Sequence, residues 1–249
     1  MDGTVLTAKS ELPRVGHLRL EQVDEIGSTS ETLKARIVGT NAEMALLAHR
    51  QTAGHGRLGR SWQSIEGNLH LSVLLRPRDL RWPGHWSILS AVALADTVRG
   101  YVPDAHRLRL KWPNDLMLGG GKLAGILLEA GLLDLPWLVI GFGVNLAGAP
   151  PGLGRPTACL ADMGAAPAPA QFAIVLLDRL QRWRERYDRE GFAPVRAAWL
   201  AVAHAPGDLI AAGVGSQRIQ GAFLGLGPDG ALLLDSAGGE VAVAAGELE

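Results

Sequence analysis

The stretch MALLAHRQTAGHGRLGRSWQSIEGNLHLSVLLRP, residues 44–77, decides the fold class. Within it GHGRLG, residues 54–59, spells G-x-G-x-x-G, the pattern of a dinucleotide-binding turn whose glycines let the backbone approach a pyrophosphate. That turn needs a strand before the glycines and a helix opening at their end. MALLAHR (44–50) reads as the strand, but no helix follows. Arg60-Ser61-Trp62-Gln63-Ser64-Ile65-Glu66-Gly67 has no helical apolar period and runs into NLHLSVLLRP (68–77), an alternating strand closed by Pro77. Asp79 has roughly the spacing of a ribose-binding acid, yet it lies beside Pro77 in a loop. A kinase-type phosphate loop also joins two strands, but the V-A-I-K, H-R-D and D-F-G signatures are missing. Gly119-Gly120-Gly121-Lys122 lacks the spacing and hydroxyl residue of a Walker A loop.

Working outward, HLRLEQVDEI (17–26) alternates as a half-buried strand. Ser28-Thr29-Ser30-Glu31 fits a capping box, and Leu33 and Ile37 continue one helical face until Gly39. HWSILSAVALADTVRGYV (85–102) is an amphipathic helix. RLRLKW (107–112) places Arg107, Arg109 and Lys111 on one face and Leu108 and Leu110 on the other. DLML and KLAGILLEAGLL flank Gly119–Gly121 as a hairpin, and LPWLVIGFGVNL (135–146) is apolar enough to be a central strand. A Pro/Gly-rich loop (147–156) leads to a long helix over 167–191 and a shorter one over 193–203. From Pro206 onward, short strands spaced by glycines predict a small β-barrel. The order predicts an α+β fold with a mixed, largely antiparallel sheet flanked by helices. Residues 1–204 form the main domain and 205–249 the barrel.

The 249 residues carry 24 basic and 25 acidic side chains, a balance that favours neither nucleic acid nor an anionic membrane as partner. The single Cys159 allows no internal disulfide and fits a reducing cytoplasm. The opening MDGTVLTAKSELPRVG has acids and a proline where a signal peptide needs an apolar core. The histidines are scattered without zinc-ligand spacing.

Chemistry concentrates in three segments. RQTAGHGRLGR surrounds three glycines with Arg50, Arg57 and Arg60, whose planar forks suit carboxylate or phosphate. KWPND (111–115) sets a cation and a carboxylate around a Trp-Pro bend, and GGGKLAGILLE (119–129) puts Lys122 beside a tight turn. Taken singly, each is also an ordinary solvated turn. Their co-occurrence on one chain is what carries the reading.

RQTAGHGRLGRSW, KWPNDLMLGGGKLAGILLE and GFGVNL together resemble the biotin protein ligases. RPTACLADMG resembles that family's Ala-Thr-Ser-Leu stretch, with Cys159 in place of a small polar residue, and the tail resembles its SH3-like barrel. About 16 residues precede the first strand, so the resemblance is to the short class without a helix-turn-helix. It implies a class II synthetase-like catalytic fold and a two-step reaction using biotin, ATP and Mg²⁺. A biotin carboxyl carrier protein supplies the acceptor lysine, with no nucleic acid or membrane partner, and the enzyme is a monomer or homodimer.

By the same resemblance, Arg57 and Lys122 are catalytic, Arg57 bridging carboxylate and α-phosphate and Lys122 stabilising phosphate charge. Ser28, Thr29, Gln51, Gly54, His55, Arg57 and Gly125 fall on the biotin side. Arg60, Trp62, Lys111, Asn114, Asp115, Lys122 and Asn145 fall on the nucleotide side, with Asp115 towards the metal. His55 stands where an Arg is usual, so it loosens the hold on biotin or contributes backbone alone. Ser30, third in a Ser-Thr-Asn pattern, matters little beyond the helix cap. The C-terminus supplies no terminal Arg to reach the nucleotide. The alternative of the same fold is a lipoate or octanoate ligase or transferase, which the combination of GHGRLGR and KWPND disfavours. A sensor without catalysis is a further alternative.

Overall fold

The computed structural model describes residues 7–11, 14–164, 166–214, 217–244 and 246–248. Residues 1–6, at the start of the segment read against a signal peptide, and Glu249 lie outside the described residues.

The main sheet has eight strands in the order β1-β2-β3-β4-β8-β7-β6-β5. They are β1 (Thr7–Glu11), β2 (Arg19–Ile26), β3 (Met44–Gln51), β4 (Leu69–Leu75), β5 (Leu108–Lys111), β6 (Asp115–Leu118), β7 (Gly121–Leu132) and β8 (Pro136–Val144). Only β2 and β3 run parallel, joined through α1 (Thr29–Ala35); every other pairing is antiparallel. The edge strand β1 has no counterpart in the sequence reading. Both strands flanking the glycine loop form as expected, β3 pairing with β4 from Met44↔Leu74 to Ala48↔His70.

Strand periodicity divides the core in two. Ala45, Leu47, Leu71, Val73, Leu138, Ile140 and Phe142 face the helices α2 (Pro83–Arg99), α3 (Pro169–Glu190) and α4 (Ala193–Leu200). The alternate residues Val23, Leu46, Ala48, Leu74 and Val139 pack against Leu33 of α1 and Ile37 just beyond its end. Helix α3 buries Phe172, Ala173, Leu176, Leu177 and Leu180, a single stripe at helical spacing. Helix α2 departs from the expected amphipathic pattern. It is packed by the sheet on one side and by α3 and α4 on others, so that twelve of its side chains from His85 to Val98 are buried. Among the described residues no helix is long and apolar enough to cross a membrane.

The hairpin at Gly119–Gly120 forms with φ of 58° and 87°, left-handed values that glycine adopts without a Cβ penalty. Strand β7 then contains an irregularity. Leu116 pairs with Ala124 but Met117 pairs with Lys122, so Leu123 is an extra residue. Both Leu123 and Ala124 are fully buried in the helix-facing core. Without the bulge, strict alternation would send Lys122 to that core with Ala124 and Ile126; with it, Lys122 faces the other way.

The tail forms a second antiparallel sheet in the order β12-β11-β10-β9-β13, from β9 (Leu209–Val214), β10 (Gln217–Leu226), β11 (Leu232–Ser236), β12 (Gly239–Val243) and β13 (Glu247–Leu248). It is not packed apart. Ile210, Phe223, Leu226, Leu232 and Leu234 join the same core as Trp199 and Val202. Polar contacts tie the tail to the rest of the chain as well: Trp112 Nε1, just after β5, donates to Gly230 O, and Arg196 Nε on α4 donates to Leu226 O.

His70 on β4 is 1% exposed, and its Nε2 lies 2.8 Å from Ser64 Oγ, which accepts from the Gln51 amide. Burial lowers the His70 imidazole from 6.5 to about 4. The unfolded chain therefore binds the extra proton first, so this contribution to stability is complete above pH 6.5 and lost as pH falls towards 4. Urea unfolding across that interval should show a smaller fall in stability for His70→Gln than for the parent. Identical pH slopes would show that His70 is not the group responsible.

Candidate active site

The sheet face that α1 covers only in part is also the floor of a cavity. Register across the central strands sets two rows: Leu46, Ser72, Gly141 and Leu127 in one, and Ala48, His70, Gly143, Gly125 and Asp115 in the next. Three glycines on adjoining strands, Gly125, Gly141 and Gly143, leave the middle of this face without side chains. About 910 Å³ of space, continuous with solvent, lies over it.

One end is polar and uncharged. Ser28 caps α1, its Oγ accepting weakly from the Glu31 amide at 3.4 Å. Gln51 Oε1, at the end of β3, accepts from Thr29 N at 2.8 Å and Thr29 Oγ1 at 3.0 Å. Thr29 Oγ1 and Ser30 Oγ lie 2.7 and 2.9 Å from Ser72 Oγ. Ser28, Thr29, Ser30 and Ser72 are all buried, so a chain of hydroxyls and one amide closes this end. Leu127 supplies apolar wall on this face of the sheet.

The opposite end is cationic. Arg57, Arg60, Lys111, Lys122 and Arg155 line it, with Asp115 as the acid among the described lining residues. Lys122 Nζ lies 2.5 Å from Asp115 Oδ1 and 5.9 Å from the Trp62 ring centroid. Burial pulls the Lys122 ammonium below its ordinary pKa; Asp115 opposes this, while Arg155 and Arg60 add to it. Arg57 is lowered by burial in the same way, against the pull of Asp115. Its guanidinium donates to Gly246 O at 3.0 Å and reaches Asn114 Oδ1 at 3.4 Å.

The glycine loop folds over the middle. Trp62 N donates to Gly54 O and Gly56 N to Arg60 O, which draws the loop into a small lobe. Leu58 and Gly59 take φ of 56° and 70° at its tip. Trp62 lies flat on the glycine floor, so close that a Cβ at Gly143 would sit 2.4 Å from its Cε2. Its Nε1 is buried and has no hydrogen-bond partner among the described residues. His55 lines the cavity with Nε2 at 3.4 Å from Glu31 Oε1. Glu31, His55 and Glu129 come together there, but Lys34 Nζ lies 2.6 Å from both carboxylates and already balances them.

Of the residues singled out from sequence, Ser28, Thr29, Gln51, His55, Arg57, Arg60, Trp62, Lys111, Asn114, Asp115, Lys122 and Gly125 line this one cavity. Gly54 and Asn145 do not. Gly54 closes the loop, where a side chain would press on Gln51 and the Trp62 carbonyl. Asn145 is 2% exposed, and its Nδ2 donates to Lys122 O and Ala158 O. Its place is behind the β7 bulge, holding the backbone of Lys122, rather than in the cavity. Ser30 does more than continue the helix cap, because it completes the hydroxyl chain to Ser72. The sequence reading missed Ser72, Gly141, Gly143, Arg155 and Leu248. For the first three a signal exists: small or polar residues recur every second position in otherwise apolar strands. The tail, expected to offer no arginine, still reaches the site through Leu248 and the Gly246 carbonyl.

This arrangement has known relatives. The model of the biotin/lipoate A/B protein ligase family matches residues 23–145. Biotin–[acetyl-CoA-carboxylase] ligase of Paracoccus denitrificans is 38% identical over 219 residues, 84% of this chain and 91% of that one. The ligase of the same name from Mycobacterium tuberculosis is 35% identical over 247 residues, 94% of this chain and 89% of that one. Among solved structures, biotin protein ligase from Aquifex aeolicus in complex with biotin and ATP superposes with a TM-score of 0.80 at 26% identity, covering 92% of this chain and 97% of that one. With that level of identity across nearly the full length of these relatives, the chain belongs to the biotin protein ligase family.

Proposed function

We propose that this protein activates biotin with ATP and transfers it to a lysine of a biotin carboxyl carrier protein. The observation that carries the reading is the division of one cavity into a neutral hydrogen-bonding end, an apolar middle and a cationic end. Biotin has that sequence of parts: a ureido ring, an apolar bicycle and chain, and a carboxylate. Ser28, Thr29, Gln51 and Ser72 meet the ureido group, and Trp62 and Leu127 flank the rest. A dithiolane or alkyl chain in the same place leaves buried hydroxyls facing an apolar group, a mismatch that sites built for hydrogen bonding reject strongly. This favours biotin over lipoate or octanoate.

In the first step the biotin carboxylate oxygen attacks the α-phosphorus, an acyl–O–P bond forms, and pyrophosphate leaves. Two anions have to meet, so cations at the junction lower the barrier. Arg57 bridges carboxylate and phosphate, and Lys122, aimed by the β7 bulge and steadied by Asp115, takes up charge on the phosphate oxygens. In the second step the acceptor amine attacks the acyl carbon, the amide forms and AMP leaves with the bonding pair; the amine's proton passes to solvent. The loop over the cavity shields the anhydride from water. Asp115 is one carboxylate and is shared with Lys122, a donor set that fits a Mg²⁺ held mainly by ATP phosphates. When bound, that ion neutralises phosphate charge. We assign residues 1–204 to the catalytic domain and 205–249 to the barrel. Cys159, buried with its thiol pushed up by burial, suits a reducing cytoplasm.

ATP–pyrophosphate exchange tests the acid: biotin should stimulate it, and stimulation by lipoate but not biotin would reverse the assignment. Arg57→Ala and Lys122→Ala should each abolish adenylate formation, a loss of at least about a hundredfold, with an unchanged circular-dichroism spectrum. Near-normal turnover of Lys122→Ala would remove it from the mechanism. Gly143→Ala pushes against the Trp62 indole and should weaken biotin binding about tenfold (about 1.4 kcal/mol) by calorimetry. Unaltered affinity would mean that the flat floor is dispensable.

A further inference from the structure

ATP carries three phosphates, and Arg57 and Lys122 account for the α-phosphate alone. We infer that Arg155 binds the β- and γ-phosphates of ATP and the pyrophosphate that leaves. This rests on the reading of the chain as an ATP-dependent ligase, but not on the identity of the acid.

Position comes first. The end of the 147–156 loop is fastened to the backbone of Lys122: Lys122 N donates to Pro156 O, and Ala158 N donates back to Lys122 O, both at 3.0 Å. Thr157 Oγ1 donates to Pro150 O at 3.1 Å, which ties the base of the loop. Gly121 lets the two segments touch, since a Cβ there would sit 2.8 Å from the Thr157 carbonyl. Arg155 is therefore one residue from a backbone bond to Lys122, and its side chain lines the same cavity.

Charge comes second. Lys122 is paired with Asp115, and Arg57 is bound to Gly246 O and Asn114. Arg155 has no hydrogen bond or ion pair among the described residues, although it is exposed beside them. Its charge bears on Lys122 and works against protonation there. Among the described residues, five cations line this end against the one carboxylate of Asp115, and the excess makes a positive field that a polyanion relieves. The guanidinium fork matches two phosphate oxygens at once. Pyrophosphate and the triphosphate tail both offer that, and AMP does not extend beyond its single phosphate.

The discriminating comparison is between the two steps. Arg155→Gln should raise KM for ATP and for pyrophosphate in the exchange reaction about tenfold (about 1.4 kcal/mol). KM for biotin should not move. Transfer from pre-formed biotinyl-5′-AMP to an acceptor peptide, run without ATP, should proceed at the parent rate. Arg155→Lys should recover part of the lost affinity, and the difference between variants should shrink at high salt. Unchanged KM for ATP and pyrophosphate, or an equal fall in both steps, would overturn the assignment. If the parent exchanges with lipoate rather than biotin, the same comparison is made with lipoate, so the biotin reading fails while Arg155 is still decided. Calorimetric titration of inorganic pyrophosphate into parent and Arg155→Gln decides it without turnover: equal affinities refute the role.

Discussion

Lys122 reaches the cavity because β7 carries one residue too many against β6. The extra Leu123 lets two consecutive side chains, Leu123 and Ala124, enter the helix-facing core and turns Lys122 to the opposite face. A buried lysine without a partner is costly, and the surroundings answer that cost in detail. Asp115 comes from the paired strand, and the indole of Trp62 lies alongside. Asn145 and the 156–158 segment take up the backbone groups that the bulge removes from the ladder. Removing the bulge would drive an ammonium into a core of leucines and leave Asp115 facing an empty wall.

The glycine rows follow from the same register. Gly141 and Gly143 on β8 and Gly125 on β7 stand where Leu or Val would otherwise fill the space, and each has a neighbour pressing on the missing side chain. Ser30 Oγ would lie 2.9 Å from a Cβ at Gly141, and Trp62 and Lys122 crowd Gly143 and Gly125. The cavity is thus a deliberate gap on one face of a sheet whose other face is fully packed. Its two ends differ because different elements reach them. The N-terminus of α1 and the end of β3 bring hydroxyls and an amide, while the loop, the 111–115 bend and β7 bring the cations.

Much of this was readable from single stretches of sequence. The strands flanking GHGRLG, the Gly119–Gly120 hairpin and the Ser28 cap are local events, governed by side-chain period and by turn chemistry. The cations of RQTAGHGRLGR, KWPND and GGGKLAG that line the cavity, Arg57, Arg60, Lys111 and Lys122, lie in short segments whose composition is visible in sequence. Ser72, Gly141 and Gly143 were harder because the small-residue alternation in their strands acquires its meaning from register with the neighbouring strand. Arg155 lies in a loop whose composition says only that it bends. Asn145 is a residue whose neighbours come from the fold: its side chain turns behind Lys122 and donates to the Lys122 and Ala158 carbonyls.

The sequence by itself determined the strands flanking the glycine loop and the central hairpin, that the loop does not open a long helix, and that Arg57, Arg60, Lys111 and Lys122 are candidates for phosphate chemistry. Those properties depend on residues within a few positions of one another. Tertiary structure decided which face each side chain joins, that α2 is buried nearly all round, and that the tail returns to place Gly246 and Leu248 at the site. These depend on strand register, on a one-residue bulge and on contacts between segments far apart in the chain. A shift of one residue in any strand inverts its faces, and no local pattern records that choice.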